Sequence, residues 1–116
     1  MIKTAGQMIA EAQEQIQCLD ADQAKRLYDE TNGAVIIDVR DPDAAATSKL
    51  SESINISRGL LEMKVEKSVP DPETLILTHC GGGGRASLAA FTLNQMGYSN
   101  VHAITATYED VKKAFG

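Results

Sequence analysis

The chain has 116 residues, the size of one folded domain. Hydrophobic residues make up 43% and charged residues 23%, which are globular proportions and exclude an intrinsically disordered chain. The 16 acidic and 11 basic side chains give a net charge of −5, so the basic surface needed for nucleic acid is missing. No apolar stretch approaches the roughly 20 residues that span a bilayer, and residues 1–7 lack the apolar core of a secretory signal. We therefore expect a soluble, cytoplasmic protein that binds neither nucleic acid nor a membrane.

The amino-terminal segment has apolar residues three and four positions apart between Ile2 and Ile16, the spacing of an amphipathic helix. We interpret residues 1–15 as a helical extension that precedes the main domain, residues 16–116. A short strand is predicted over residues 16–19. The extension is expected to pack on the outside of the main domain.

The next segments predict a helix and then a buried strand. Asp20 followed by Gln23 resembles a capping box that opens a helix over residues 21–30. The continuous apolar run 34–39 is typical of a strand buried on both faces of a parallel sheet.

The remaining segments continue the alternation of strands and helices. In chain order they are a helix from Asp41-Pro42, a strand over 53–56, a helical turn over 58–63, a strand over 75–79, a helix over 88–96 ended by Gly97, a strand over 101–104 and a last helix capped by Thr107 and Asp110. Strands that alternate with helices predict an α/β domain with a mainly parallel sheet of five strands.

Cysteine and histidine are scarce in this sequence. Cys18 and Cys80 are the only cysteines, so no disulfide framework is indicated. The two cysteines and two histidines, His79 and His102, do not have the spacing of a zinc site. The simplest expectation for Cys18 is a buried core residue.

The most informative segment is a run of four glycines, residues 81–84, between Cys80 and Arg85. A strand is predicted before it and a helix after it, which is where ligands bind in open α/β sheets. Glycines let successive N–H groups turn inward, and such a concavity at a helix amino terminus binds negative charge. This setting favours the thiolate form of Cys80, and Arg85 adds a fixed positive charge. The segment therefore predicts an activated nucleophile without a histidine base.

Three functions compete for this loop. A dinucleotide fingerprint fits Gly81, Gly83 and Ala86 loosely but lacks the acidic residue that should follow about 20 residues later, and a Walker loop would need a lysine. Cysteine phosphatases place five residues between cysteine and arginine, whereas this chain has four between Cys80 and Arg85. A tighter loop suits a smaller group, such as the single sulfur of a persulfide. The third function is sulfur transfer through Cys80.

Four segments resemble the rhodanese-like domain family, and the match as a whole extends over roughly residues 16–115, most of the chain. They are Asp38-Val39-Arg40-Asp41-Pro42, Ile54-Asn55-Ile56-Ser57-Arg58-Gly59, the six-residue loop from Cys80 to Arg85, and Gly97-Tyr98-Ser99-Asn100-Val101. The resemblance implies a five-stranded parallel sheet flanked by helices. It also implies transfer of sulfane sulfur from thiosulfate or a persulfide donor to a thiol or cyanide acceptor, with proteins as alternative donors or acceptors. No metal or organic cofactor is expected, because the cysteine itself carries the sulfur.

Two segments depart from the family pattern. Residues 49–53 stand where the family has His-Ile-Pro-Gly-Ala, and residues 106–111 lack its Gly-Gly and later Trp. These departures favour an alternative function, a catalytically silent rhodanese-like module that binds a protein partner.

The expected site residues differ in role. Cys80 is the nucleophile, and the N–H groups of the loop hold the terminal sulfur of its persulfide; they belong to Gly81, Gly82, Gly83, Gly84 and Arg85. The Arg85 side chain either binds the sulfonate of the donor or braces the loop, and Arg58 either faces the pocket or is solvated. Asp38 and Arg40 are expected to form a structural ion pair near the site. His79 is expected to point away from Cys80, because neighbouring side chains of a strand face opposite sides.

Overall fold

Five short strands form one sheet in the computed structural model, which describes residues 1–116. They are β1 (Gln17–Leu19), β2 (Val35–Asp38), β3 (Ser53–Asn55), β4 (Ile76–His79) and β5 (Val101–Ile104). Their order across the sheet is β1-β5-β4-β2-β3, and every neighbouring pair is parallel. The predicted five-stranded parallel sheet is confirmed.

Six helices and a short 3-10 turn connect and cover the strands. The helices are α1 (Ala5–Gln15), α2 (Ala21–Glu30), α3 (Pro42–Thr47), α4 (Leu61–Ser68), α5 (Gly84–Met96) and α6 (Tyr108–Phe115), and the turn is Arg58–Leu60. None of these helices is long and apolar enough to cross a membrane.

Local capping explains where several helices begin. At α2 the predicted capping box is complete, because the Asp20 carboxylate accepts from the Gln23 N–H and the Gln23 amide oxygen accepts from the Asp20 N–H. Thr107 caps α6 by accepting from the N–H of Asp110. Asp41 stands at the N-cap of α3 but makes no side-chain capping bond there.

Two helices extend beyond the predicted segments. Helix α4 runs to Ser68 because Leu61 and Val65, four residues apart, both turn into the core and are fully buried. Helix α5 begins at Gly84, within the glycine run, because Gly83 takes the N-cap position with a φ of +98°. The loop before α5 is therefore shorter than the sequence indicates.

The core lies on both sides of the sheet. Adjacent residues of β2 and β4 point to opposite faces: Ile37 and Ile76 pack beneath α4 and α5, while Ile36 and Leu77 pack beneath α2 and α6. All four side chains are fully buried. The prediction that the 34–39 run is buried on both faces is confirmed.

The prediction for Cys18 is wrong. Cys18 is exposed, because β1 is a three-residue strand at the edge of the sheet and pairs with β5 alone. The apolar stripe of α1 is also only partly covered. Ala12 is buried against α5, whereas Ile2 and Met8 remain exposed.

Candidate active site

Cys80 follows β4, the central strand, and lies directly before the glycine loop that leads into α5. Its side chain is 1% exposed. The Sγ atom accepts hydrogen bonds from the N–H of Gly83 at 3.1 Å and from the N–H of Ala86 at 3.4 Å. The sulfur thus lies at the amino terminus of α5, where unpaired N–H groups and the helix dipole stabilise negative charge.

The loop requires glycine at position 83, whereas at position 84 an added Cβ would meet only the end of a side chain that can shift. Gly83 has a φ of +98°, and a Cβ there would lie 3.0 Å from Cα of Thr105. At Gly84 a Cβ would lie 2.9 Å from Cδ1 of Ile9, so α1 approaches the start of α5 closely. Gly82 has open space around it, and the Gly81 carbonyl accepts from the N–H of Tyr108.

Two N–H groups reach the Sγ atom itself, as distinct from the terminal sulfur of a persulfide, for which the sequence predicts residues 81–85 as donors. Of residues 81–85, only Gly83 donates to Sγ, and Ala86, which the sequence analysis did not include, is the second donor. Ala86 is the third residue of α5, and the N–H groups of a first helical turn have no partner within the helix. A prediction that α5 begins at Gly84 would have placed Ala86 in the first helical turn and identified its N–H as a donor.

Arg85 lies at the rim of the loop. Its side chain is 45% exposed, and its guanidinium is 3.9 Å from the Asp41 carboxylate. The same guanidinium approaches Gly81, since Nη2 lies 3.8 Å from where a Cβ on that residue would be. Arg85 is therefore held loosely beside the loop, with its charge open to solvent.

Arg58 is engaged elsewhere. Its guanidinium donates to the Glu62 carboxylate at 3.0 Å and to the Thr92 hydroxyl at 2.9 Å. These contacts tie Arg58 to α4 and α5, and none of its hydrogen bonds reaches the loop of Cys80.

Asp38 and Arg40 form a buried ion pair at the end of β2. The Arg40 guanidinium donates to both oxygens of Asp38 at 2.8–3.1 Å and to the Ser48 carbonyl at 2.6 Å. Burial by itself raises the pKa of the Asp38 carboxyl, but the hydrogen bonds from the Arg40 side chain and backbone outweigh it and lower that pKa overall. The pair is therefore charged, and it fixes the chain after β2.

His79 lies on the face of the sheet opposite Cys80, as predicted. The imidazole is fully buried, neither ring nitrogen forms a hydrogen bond, and the ring stacks on Tyr108 with 6.1 Å between centroids. Burial lowers the pKa of His79, so the ring is neutral near pH 7. His79 is a packing residue and does not serve Cys80 as a base.

Tyr108 is a residue near the site that sequence reasoning missed. Its ring lies 3.9 Å from the guanidinium carbon of Arg40 and stacks on His79, and its hydroxyl shares a 2.7 Å hydrogen bond with Ser48. Its N–H holds the Gly81 carbonyl at 3.0 Å. Tyr108 thus links the ion pair to the first residue of the loop.

An open groove of about 940 Å³ runs beside the loop, with Gly82 in its wall. It is bordered by the amino termini of α2 and α6, which contribute Asp20, Asp22 and Asp110, and by Lys113. Cys80 does not line this groove, because its side chain points beneath α5. No group of three or more His, Cys, Asp or Glu side chains comes close enough together to hold a metal ion.

The sequence pattern that defines the rhodanese-like domain family matches residues 20–114, and the chain belongs to this family. The thiosulfate sulfurtransferase GlpE of Pseudomonas entomophila is 30% identical to it over 77 residues, which are 66% of this chain and 69% of that protein. This relative supports sulfur transfer as the general activity.

Two solved structures share the fold. A Rhodopseudomonas palustris protein of unknown function, described as a possible tyrosine phosphatase, is 28% identical with a TM-score of 0.84 over 100% of this chain and 94% of that one. The polysulfide-sulfur transferase homodimer of Wolinella succinogenes is 28% identical with a TM-score of 0.74 over 89% of this chain and 77% of that one. The first of these similarities includes α1.

Proposed function

We propose that this chain transfers sulfane sulfur from a small anionic donor, thiosulfate or a persulfide, to a thiol or cyanide acceptor through a persulfide on Cys80. The observation that carries the proposal is the placement of Sγ at the amino terminus of α5, with the N–H groups of Gly83 and Ala86 directed at it. Hydrogen bonds to a sulfur stabilise its anionic form, and the anion is the nucleophile.

The reaction has two half-reactions. In the first, the Cys80 thiolate attacks the outer sulfur of thiosulfate, the S–S bond of the donor breaks, and sulfite leaves with the bonding electron pair. In the second, a thiolate or cyanide attacks the terminal sulfur of the persulfide, and Cys80 leaves as the thiolate. The product is a new persulfide or thiocyanate, and the kinetics are ping-pong.

The loop supplies further donors for the terminal sulfur. The N–H groups of Gly81, Gly82, Gly84 and Arg85 make no hydrogen bond to Sγ, so they are free for the sulfur one bond further out. Preorganised backbone donors of this kind stabilise developing negative charge without reorganisation. The Arg85 guanidinium is open to solvent at the rim, which supports a role in binding the sulfonate of an incoming donor.

A second candidate function is a catalytically silent rhodanese-like module that binds a protein partner. The observation that favours it is the burial of Cys80, which is 1% exposed, so the loop has to open slightly before a donor reaches the sulfur. A silent module needs no such opening.

The deciding experiment is the intact mass of the protein after incubation with thiosulfate, and separately with a low-molecular-weight persulfide. All variants carry Cys18→Ala, because Cys18 is exposed and can itself react. We expect a gain of one sulfur atom that cyanide removes and that Cys80→Ala abolishes. A folded protein that gains no sulfur from either donor contradicts the proposal and leaves the silent module.

A phosphatase assay completes the test. One structural neighbour is described as a possible tyrosine phosphatase, whereas this loop has only four residues between Cys80 and Arg85. We expect no appreciable hydrolysis of an aryl phosphate. Hydrolysis that is fast and lost in Cys80→Ala would replace sulfur transfer by phosphoryl transfer.

A further inference from the structure

Helix α1 lies outside the segment that matches the family pattern, yet it touches the start of α5. Ala12 is 2% exposed where the two helices meet. Ile9 reaches Gly84, the first residue of α5, so closely that a Cβ there would lie 2.9 Å from its Cδ1. The same face of α1 carries Gln13, whose side-chain amide donates a hydrogen bond to a side chain of α5.

A continuous chain of hydrogen bonds runs from Gln13 to Cys80. The Gln13 amide Nε2 donates to the Ser87 hydroxyl at 3.1 Å. The Ser87 hydroxyl, which is fully buried, donates to the Gly83 carbonyl at 2.7 Å. The Gly83 N–H in turn donates to Sγ of Cys80 at 3.1 Å. In each of these three hydrogen bonds, the donor lies on the side of Gln13 and the acceptor on the side of Cys80.

We propose that Gln13 is a positioning residue for the Cys80 nucleophile, acting through Ser87 and Gly83. This inference rests on the proposed sulfur transfer only for its effect on turnover. Its effect on the state of the Cys80 sulfur is independent of any donor.

The physical argument concerns the Ser87 hydroxyl, which has one hydrogen and can rotate. The donor from Gln13 occupies one of its two lone pairs and favours the rotamer in which the hydroxyl hydrogen is directed to the Gly83 carbonyl. Gly83 holds a left-handed backbone conformation, with φ of +98°, and its N–H and carbonyl lie on either side of the same Cα. A bond that fixes the carbonyl therefore helps to fix the N–H that meets Sγ.

The test replaces Gln13 by methionine, which keeps the length and helix preference of the side chain but removes the donor. Gln15→Met is the matched control, because Gln15 lies on the same helix and makes no side-chain hydrogen bond. Both variants carry Cys18→Ala. The measurements are the pH profile of Cys80 alkylation by iodoacetamide, kcat and KM for thiosulfate, and the urea midpoint of unfolding.

We expect Gln13→Met to move the alkylation profile to higher pH by about half a unit and to lower kcat about threefold with little change in KM, since one hydrogen bond is loosened rather than removed. Gln15→Met leaves both unchanged. Gln13→Glu, whose carboxylate only accepts, draws the Ser87 hydrogen away from Gly83 and has at least as large an effect. Ser87→Ala combined with Gln13→Met adds little to Ser87→Ala alone, because the two residues act in series.

Two outcomes overturn the proposal. One is an alkylation profile of Gln13→Met that matches the parent protein. The other is an equal change in Gln15→Met, which assigns the effect to α1 as a whole. If the parent protein takes sulfur from no donor, the proposed function fails, but the alkylation profile still decides the role of Gln13.

Discussion

Gly83 is the residue on which the geometry of the loop depends most directly. Its N–H meets Sγ, its carbonyl receives the N–H and hydroxyl of Ser87, and its Cα lies against the backbone of Thr105. All of this requires a positive φ, which costs an L-residue about 1–2 kcal/mol. A side chain at position 83 would therefore meet both an unfavourable backbone conformation and a close contact with Thr105.

The first prediction is that Gly83→Ala lowers the free energy of unfolding by more than about 1–2 kcal/mol, because the Cβ adds a 3.0 Å contact with Thr105 to the strain. Gly82→Ala is the control, since a Cβ there meets nothing within 4 Å. Urea unfolding measures both. If both variants lose the same free energy of unfolding, then neither the positive φ nor the contact with Thr105 destabilises Gly83→Ala.

The second prediction concerns the buried ion pair. Arg40→Leu leaves the fully buried Asp38 carboxylate without its partner and lowers the free energy of unfolding by about 3–5 kcal/mol. Lys25→Leu, which breaks an exposed pair with Asp29, changes it little. Chemical denaturation compares them, and Asp38→Leu combined with Arg40→Leu recovers part of the loss. A double variant no more stable than Arg40→Leu would argue that the unpaired charge is not the cause.

The third prediction concerns Arg85 at the loop rim. Under the proposed function, Arg85→Gln raises KM for thiosulfate about tenfold with a smaller change in kcat, because a charge-assisted contact to the sulfonate is lost. Steady-state kinetics with thiosulfate test this, with an alkyl persulfide, which has no sulfonate, as the comparison donor. A rise in KM of equal size for both donors would assign Arg85 to bracing the loop.

At the scale of elements, the loop is held between helices on three sides. Helix α5 supplies the Ala86 N–H that donates to Sγ, α1 touches the first residue of α5, and α6 begins with Tyr108, whose N–H donates to the Gly81 carbonyl. The position of α6 is fixed at its start by the Thr107 cap. The starts of α5 and α6 therefore both make direct hydrogen bonds to the segment from Cys80 to Gly81.

The fourth prediction is that Thr107→Ala lowers the free energy of unfolding by about 1 kcal/mol, since its hydroxyl caps the N–H of Asp110. Asp41→Ala has a smaller effect, because Asp41 occupies an N-cap without making a side-chain bond. Thermal or urea unfolding of the two variants checks the difference. A larger loss in Asp41→Ala would mean that its 3.9 Å contact with Arg85 matters more than capping.

At the scale of the whole molecule, one buried histidine, His79, and one half-buried histidine, His102, make stability depend on pH. Burial lowers the pKa of both His79 and His102 below the ordinary value of 6.5. The unfolded chain therefore binds protons that the folded protein does not. Stability is fully present above pH 6.5 and falls as the pH decreases from there towards the lowered pKa values.

The fifth prediction is that His79→Leu flattens this pH dependence between pH 7.5 and 5.5 while changing stability at pH 7.5 little, because the neutral ring makes no hydrogen bond. The slope removed is at most about 1.4 kcal/mol per pH unit for one histidine. Urea unfolding across this range measures it, with His102→Leu as the comparison. An unchanged slope in His79→Leu would show that His79 is protonated within the fold.

The sequence by itself determined the alternation of strands and helices, the caps and the glycine loop, because each depends on residues close together in the chain. The capping box joins Asp20 and Gln23, which are three positions apart, and the apolar composition of the run 34–39 predicts its burial. The six-residue segment from Cys80 to Arg85 likewise predicts the connection between a strand and a helix that joins β4 to α5.

Tertiary structure alone decided which distant residues surround the loop. The exposure of Cys18 follows from the place of β1 at the sheet edge, and the contact from Gln13 to Ser87 joins residues 74 positions apart. Tyr108 reaches Arg40 and Gly81 only because α6 returns over the ends of the strands. Such contacts depend on how whole elements pack, and local spacing in a single sequence carries no record of that packing.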